Sequence, residues 1–256
     1  MLAAALALTG AACNSGATSR RTDSTTVTSN DLAAARMGDS ASATGSDPAA
    51  APSWALLPFT KVDSANPVLT PGKGHFKDPI LHREIEWEEK DVFNPATVVK
   101  DGKIYLLYRA QDRIGHPAGT SRIGLASSTD GLHFTRAEAP VLYPDNDAEK
   151  KLEWEGGCED PRVVEDEKGT YYMTYTAFDG KLARLLIATS TDLKHWTKHG
   201  AVFAAAYQGK YKDLWSKSGS IVSRYENGRV IATRVAGKYW MYWGDQNIWE
   251  IGRAHV

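Results

Sequence analysis

The run Thr170-Tyr171-Tyr172-Met173-Thr174-Tyr175 follows the turn pair Lys168-Gly169. Short runs that alternate apolar and polar residues between turn signals are typical of antiparallel strands. A second run, Leu185-Leu186-Ile187-Ala188, leads into the turn Thr189-Ser190-Thr191-Asp192-Leu193, and Trp196 comes shortly after it. Two strands, a polar turn and an aromatic residue therefore form one unit.

The same unit occurs earlier in the chain. Its parts are Lys103-Ile104-Tyr105-Leu106-Leu107-Tyr108 after Asp101-Gly102, then Arg122-Ile123-Gly124-Leu125-Ala126, the turn Ser127-Ser128-Thr129-Asp130-Gly131 and Phe134. Pro95 and Pro161 lie 66 residues apart, and Phe134 and Trp196 lie 62 apart. A third copy begins at Ser220-Ile221-Val222, continues through Lys238-Tyr239-Trp240-Met241-Tyr242-Trp243 and stops near Ile248-Trp249.

Repeats of roughly 40 to 65 residues that each carry four strands predict an all-β fold of the β-propeller type. The alternative is a β-sandwich in which the repeats are coincidental, and the doubled Ser-Thr-Asp turn before an aromatic residue argues against it. Two complete blades and part of a third cannot close a ring. We therefore expect this chain to be a fragment that is aggregation-prone through its open strand edges, and inactive by itself.

The composition fits a globular protein, with 256 residues, 42% hydrophobic, 24% charged and a formal net charge of -1. This balance argues against a nucleic-acid binder, which normally carries a basic excess. No run approaches the roughly 20 apolar residues that span a bilayer. The two cysteines, Cys13 and Cys158, are too few for a disulfide framework.

The two ends differ from the middle. Residues 1–13 resemble an export signal, and Cys13 is placed as in a bacterial lipoprotein, so we expect export to the periplasm, the outer membrane or the medium, with any membrane contact through a lipid on Cys13. The alternative is an Ala-rich tail with a chance cysteine.

Residues 14–52 have the composition of a disordered linker, and 53–249 form the partial propeller domain. Residues 250–256 match the translation of a common sequencing-adapter read, and we expect them to be an artefact.

The densest polar cluster is Glu155-Gly156-Gly157-Cys158-Glu159-Asp160-Pro161-Arg162. It opens the second repeat, where an innermost propeller strand lines the central channel. The equivalent positions are Asn94-Pro95 in the first repeat and Lys217-Ser218-Gly219 in the third. A carboxylate, an amide and a cation at one channel mouth suit a polyhydroxylated ligand. The alternative is that Asp160 and Arg162 only pair with neighbouring strands.

Several segments in order resemble glycoside hydrolase family 130. They are Phe93-Asn94-Pro95-Ala96, Tyr108-Arg109-Ala110, Ser121-Arg122-Ile123-Gly124, Glu159-Asp160-Pro161-Arg162, Ala188-Thr189-Ser190-Thr191-Asp192-Leu193 and Trp215-Ser216-Lys217-Ser218-Gly219. The resemblance implies a five-bladed β-propeller, of which about the first three blades are present. It also implies inverting cleavage of β-mannosides, by phosphorolysis in some members and by hydrolysis in others.

The resemblance also implies roles for individual residues. Asp160 matches the proton donor, which must carry its proton when it acts. Asn94, Arg109 and Arg122 match residues that hold the mannosyl unit, and Asp112 is a candidate contact for a sugar hydroxyl.

The nucleophile distinguishes the two reactions. A phosphorylase needs cations around phosphate, and Arg162, Arg184 and Lys217 are candidates for contacts with an anion or a sugar. A hydrolase needs a carboxylate base roughly 6.5 to 9.5 Å from the acid, for which Asp245 is a candidate. The histidines lack paired ligand spacing, so no metal site is expected.

Three functions remain. Export favours an exported β-mannosidase, because a sugar phosphate made outside the cell is hard to recover. The alternative is a β-mannoside phosphorylase that releases mannose 1-phosphate, with inorganic phosphate as co-substrate and no cofactor. The second alternative is a non-catalytic glycan-binding propeller, against which the intact Glu159-Asp160-Pro161-Arg162 argues. In each case the expected partner is a β-linked manno-oligosaccharide or glycan.

Overall fold

The computed structural model describes residues 61–244 and 248–252, with only the backbone of 249–252. The expected signal peptide with Cys13, the linker 14–52, the candidate base Asp245 and residues 253–256 lie outside the described residues. In chain order the strands are β1 His75–Asp78, β2 Arg83–Glu86, β3 Asp91–Lys100, β4 Lys103–Gln111, β5 Ser121–Ser128, β6 Thr135–Arg136, β7 Gly157–Glu165, β8 Tyr171–Phe178, β9 Ala183–Ser190, β10 Thr197–Ala201, β11 Lys217–Ile221, β12 Ser223–Glu226, β13 Arg229–Ala232, β14 Arg234–Val235, β15 Lys238–Gly244 and β16 Ile248–Gly252.

Helix is almost absent, so the all-β prediction is confirmed. The described part holds the one-turn helix α1 (Lys150–Glu153) and the 3₁₀ segments Asp63–Ala65 and Ala206–Gly209. None of its helices is long and apolar enough to cross a membrane. The strands form sheets of two, ten and four strands. Within the described ranges none of these sheets closes into a ring.

The first two repeats have the strand order that their sequence patterns predict. Strands β3, β4, β5 and β6 pair antiparallel in succession, and β7, β8, β9 and β10 do the same. Glycines with positive φ, Gly102 at +73° and Gly169 at +86°, make the first turn of each repeat. The two repeats meet where Ser121 of β5 pairs in parallel with Gly157 of β7.

Each polar turn is closed by its own serine and aspartate. In the second repeat, Ser190 Oγ accepts from the N–H groups of Asp192 and Leu193. Asp192 Oδ1 accepts from the N–H groups of Lys194 and His195 at 2.8 Å. Ser128 and Asp130 repeat these bonds in the first unit. The recurring Ser-Thr-Asp sequence is thus a turn that uses its side chains in place of backbone partners.

The third repeat is present as β11, β15 and β16, which pair antiparallel. The backbone of Glu250 to Gly252 belongs to β16, opposite Trp240 to Tyr242. A hairpin, β12–β13, is inserted between β11 and β15. Ile231 of this hairpin pairs in parallel with Glu165 at the end of β7, and Arg229 bonds both oxygens of Glu165 at 2.9 and 2.6 Å.

The main core fills the space between the two complete repeats. Its members include Leu107, Ile123, Met173, Tyr175 and Leu186, all with no exposed surface. They come from β4, β5, β8 and β9, whose apolar faces are therefore covered on one side. This packing fixes the starts of β3 and β7 relative to each other, and those starts carry the polar residues discussed below.

Gly157 lies directly against Ser121 of the other repeat, and its replacement tests that contact. Its φ is +105°, and a Cβ there would lie 2.1 Å from the carbonyl oxygen of Ser121. Gly157→Ala should therefore lower the free energy of unfolding by about 2–4 kcal/mol. The measurement is urea denaturation. Gly102→Ala is the control, because Gly102 also has positive φ but nothing lies within 4 Å. Equal losses in both variants would contradict this view of the interface.

Asp192 gives a test of the turn through pH. Burial opposes its ionisation, but the bonds from the backbone and ring of His195, from the backbone of Lys194 and from Ser190 together outweigh burial and hold the pKa of Asp192 well below its ordinary value. A carboxyl with a lowered folded pKa stabilises the protein above its unfolded pKa of about 3.9, and this stabilisation is lost as pH falls below that value. Asp192→Asn should therefore lose less stability between pH 6 and pH 3 than the wild type. Asp101→Asn, at an exposed turn, is the control, and parallel curves for Asp192→Asn and wild type would refute the idea.

Candidate active site

The first strand of each repeat contains the same backbone irregularity. The register of β3 shifts between Phe93 and Ala96, that of β7 between Glu159 and Arg162, and that of β11 between Lys217 and Ser220. Inside each shift one residue has positive φ: Asn94 at 46°, Asp160 at 48° and Ser218 at 54°. Bulges of this kind turn a side chain away from the regular alternation of the strand. Residues forced into the left-handed region are concentrated at functional sites.

Asp160 is held through one of its two oxygens. Its Oδ1 accepts from Asn94 Nδ2 at 2.8 Å and from Arg109 Nη1 at 3.1 Å. Among the described residues its Oδ2 has no hydrogen-bond partner, and the side chain is 19% exposed. The carboxyl is therefore fixed in direction while one oxygen remains available to a ligand.

Arg109 connects this carboxyl to its neighbour. Its Nη2 bonds Glu159 Oε1 at 2.8 Å, and its Nε donates to Ser121 Oγ at 3.0 Å. The guanidinium lies 4.5 Å from the ring centre of Phe93, a distance at which a cation is attracted to a π face. With every nitrogen engaged, Arg109 is a preorganised donor.

Glu159 links Arg109 to the third repeat. Lys217 Nζ lies 3.5 Å from Glu159 Oε2, and the Glu159 side chain is 7% exposed. Burial raises the pKa of Glu159, while the nearby Arg109 and Lys217 oppose this rise. Strands from all three repeats thus contribute to one charged cluster. We call the group Asn94, Arg109, Glu159, Asp160 and Lys217 the candidate active site.

Two residues predicted to contact the sugar, Arg122 and Asp112, bond each other rather than the five residues of this cluster. Arg122 has no exposed surface, and it bonds Asp78 at 2.6 Å and Asp112 at 2.7 Å. Asp112 Oδ1 also accepts from the N–H groups of Ile114, Gly115 and Thr120. The sugar contacts of Arg122 and Asp112 stay predictions; in this geometry the bonds of both side chains fix the loop between β4 and β5. That loop leads into Ser121, which in turn holds Arg109.

The other two predicted cations, Arg184 and Arg162, differ in whether a carboxylate compensates their charge. Arg184 pairs with Asp179 at 2.8 Å and with Asp213 at 3.2 Å, so carboxylates already compensate its charge. Arg162 is exposed on β7, two residues after Asp160, and has no ion pair within the described part of the chain. Of the three predicted cations, Arg184 is therefore the one whose charge is most fully compensated. Lys217 and Arg162 are better able to bind an anion.

Sequence reasoning missed two residues of the cluster's support. Ser121 was included in a motif without a role, although its hydroxyl accepts from both Arg109 and Gln111. Phe93 was likewise noted only as part of a motif, and its position one residue before Asn94 was the available signal.

Cys158, next to Glu159 in the chain, is fully buried, and burial raises the pKa of its thiol. In the part of the chain that is described, no three His, Cys, Asp or Glu side chains could hold a metal ion.

The arrangement suits acid catalysis on a polyhydroxylated substrate. A fixed carboxyl with one open oxygen can deliver a proton in a defined direction. The surrounding amide, guanidinium and ammonium groups offer directional donors that match hydroxyl oxygens.

Comparison with known proteins identifies relatives of this chain. The glycoside hydrolase family 130 model, described as β-1,4-mannooligosaccharide phosphorylase, matches residues 62–254. A 1,2-β-oligomannan phosphorylase of Thermoanaerobacter sp. (strain X514) is 37% identical over 155 residues, which are 58% of this chain and 47% of that protein. A β-1,2-mannobiose phosphorylase of the same organism is 33% identical over 181 residues, 66% of this chain and 51% of that protein.

A solved structure is also similar, with a TM-score of 0.75 and 48% identity, covering 78% of this chain and 57% of that one. It accompanies the finding that the GH130 family of mannoside phosphorylases contains glycoside hydrolases that target β-1,2 mannosidic linkages in Candida mannan. The chain thus spans about half the length of the curated relatives it matches.

The link between the repeats through Glu159 can be tested by stability. Glu159→Gln keeps the size of the side chain but removes the negative charge that faces Arg109 and Lys217. We expect a loss of about 1–3 kcal/mol in the free energy of unfolding at neutral pH. Urea denaturation measures it, with Glu167→Gln as the control, because Glu167 is 75% exposed and, within the described ranges, pairs only with Arg224 at 3.3 Å. A loss at Glu159 no larger than at Glu167 would show that the cluster does not hold the repeats together.

Proposed function

The chain belongs to glycoside hydrolase family 130, and on that premise we propose that the whole protein cleaves β-1,2-mannosidic bonds by phosphorolysis. Asp160 protonates the leaving oxygen while phosphate attacks the anomeric carbon from the opposite face, which releases mannose 1-phosphate. The C–O bond to the leaving sugar breaks as the C–O bond to phosphate forms. The observation that carries this proposal is that the two Thermoanaerobacter relatives described above are named as phosphorylases of β-1,2-linked mannosides.

The geometry of the site supports this choice. Asp160 has one oxygen free of protein partners, and Asn94 and Arg109 hold the other. Phosphate needs cations, and Arg162 and Lys217 are the candidates with the least compensation, since Lys217 has only a 3.5 Å contact to Glu159. These relatives favour phosphorolysis over the exported hydrolase that the sequence led us to expect.

Hydrolysis is the second candidate, and a specific observation favours it. The 48% identical structure comes with the report of hydrolases that target β-1,2 linkages. Hydrolysis would use the same proton donor, with a carboxylate base and water in place of phosphate. Asp245 keeps its candidacy as that base. Export, with residues 1–13 as signal and Cys13 as anchor, also remains part of this candidate.

The propeller is the architecture that we propose for the whole protein. The described strands form two antiparallel repeats and part of a third, which fits three consecutive blades. Five blades arranged around one channel would bring the three bulged innermost strands to a common mouth.

Product analysis separates the two reactions. The 256-residue chain and the full-length product of its gene are incubated with β-1,2-mannobiose, with and without inorganic phosphate, and the products are identified by chromatography. We expect mannose 1-phosphate, formed only when phosphate is present. Free mannose formed without phosphate would replace this proposal by the hydrolase. Activity of the 256-residue chain alone would contradict the expectation that it is inactive.

Asp160→Asn tests the proton donor in the same assay. Removal of a general acid costs about 10²- to 10⁴-fold in rate, and we expect a loss of that size in kcat with a smaller change in KM. Asp101→Asn is the matched control, because Asp101 is 81% exposed and lies in a turn. An Asp160→Asn variant with near wild-type turnover would remove Asp160 from the mechanism.

A further inference from the structure

A separate cleft of about 540 Å³ lies away from the candidate active site. Its walls are the segment Pro140–Glu149, between β6 and α1, and the segment Lys194–Lys198, at the start of β10. None of the five residues of the candidate active site lines it. The cleft is large enough for one or two sugar rings, in the size range of small-molecule sites.

One wall of the cleft is aromatic. Trp196 is half-buried: it packs against the main core and also lines the cleft. Its indole N–H donates to the carbonyl of Leu193 at 3.0 Å, which fixes the orientation of the ring. Tyr143, in the opposite wall, is held edge-to-face against Phe76 at 4.7 Å. Rigid aromatic rings of this kind offer apolar surface at little entropic cost on binding.

Two carboxylates of the cleft have oxygens without donors. The Glu149 carboxylate has no hydrogen-bond partner within the described residues, and burial followed by the charge of Asp147 raises its pKa. Asp145 uses one oxygen for the N–H of Asn146, which leaves the other open. Hydroxyl groups of a neutral ligand would supply the missing donors.

Lys198, one of the two lysines that line the cleft, is held by three bonds. Lys198 Nζ bonds Tyr143 O at 2.8 Å, Glu153 Oε2 at 2.6 Å and Asp147 Oδ2 at 2.9 Å. All three ammonium protons are therefore used, and the charge is neutralised. The second lysine, Lys194, is exposed and can donate to a sugar oxygen. The three carboxylates of Asp145, Asp147 and Glu149 still outnumber the two lysines of the cleft, and this excess of negative charge favours a neutral saccharide over an anion such as phosphate.

We propose that this cleft is a second saccharide-binding site, in which Trp196 stacks on a sugar ring while Glu149 and Asp145 accept from its hydroxyls. The proposal rests on the proposed function for the identity of the sugar, a β-linked manno-oligosaccharide. A second site on the same protein raises the effective concentration of a long chain at the first. Its effect should therefore grow with the length of the substrate.

The test measures binding in an inactive background. Asp160→Asn protein, with Asn94→Ala added to weaken the candidate active site, is titrated with β-1,2-mannotetraose by calorimetry. We expect this protein to keep one binding site. Further replacement of Trp196 by Ala should raise the dissociation constant roughly tenfold, from the loss of a stacking contact, and Glu149→Gln several-fold. Tyr225→Ala, at an aromatic residue that is 78% exposed elsewhere, should change nothing.

Further variants keep the result interpretable. If Trp196→Ala does not fold, Trp196→Phe and Glu149→Gln preserve the packing and still test the site. Unchanged affinity in Glu149→Gln and in the tryptophan variants overturns the proposal, and so does the absence of binding in the Asp160→Asn, Asn94→Ala protein itself. Binding of tetramethylammonium in place of the saccharide, lost with Trp196, also overturns it, because the cleft would then recognise a cation.

The two proposals fail in different ways. If the otherwise wild-type protein cleaves no β-mannoside but mannotetraose binding still depends on Trp196, the proposed function fails and the cleft stands. If β-1,2-mannobiose is cleaved but the kcat/KM for longer chains is unaffected by Trp196→Ala and Glu149→Gln, the cleft proposal fails and the proposed function stands.

Discussion

The guanidinium of Arg109 is the connection on which the site depends. It comes from the second strand of the first repeat, and it binds two consecutive carboxylates, Glu159 and Asp160, on the first strand of the second repeat. Since Arg109 is only 12% exposed, loss of either carboxylate would leave charge poorly compensated in a partly dry environment. The same contact that joins the repeats therefore also aims the proton donor, so stability and catalysis are coupled here.

Much of the fold could be predicted from the sequence, because it depends on local chemistry. The conformation of the strand runs and of the Ser-Thr-Asp turns is set by residues close in sequence. The Asp192 carboxylate, for example, closes its turn with groups at most three residues away. The pairing of Asn94 with Asp160 was also accessible, because aligned repeats place equivalent residues at one end of the sheet. In each case the evidence lies within a single repeat or in its periodic recurrence.

The burial of Arg122 and Asp112 could not be predicted in the same way. Their residue types suit a sugar site, and a family motif carries one of them, yet the decisive partner is Asp78, 44 residues from Arg122 on a strand outside the repeats. The inserted hairpin was missed for a related reason. Only its turn, Asn227-Gly228, is visible as a pattern, whereas its place is set by the pairing of Arg229 with Glu165 at the end of another repeat.

The repeated bulge has a consequence for how such a protein can change over evolutionary time. One bent backbone carries an amide at Asn94, a carboxyl at Asp160 and a hydroxyl at Ser218. Copies produced by duplication would inherit the bend, and a single codon change could then give each copy a different reactive group without any refolding. Asn and Asp tolerate the left-handed conformation better than most residues. The bulge position therefore favours small polar side chains. Substitutions accepted at this position would therefore tend to be side chains that can take part in catalysis or binding.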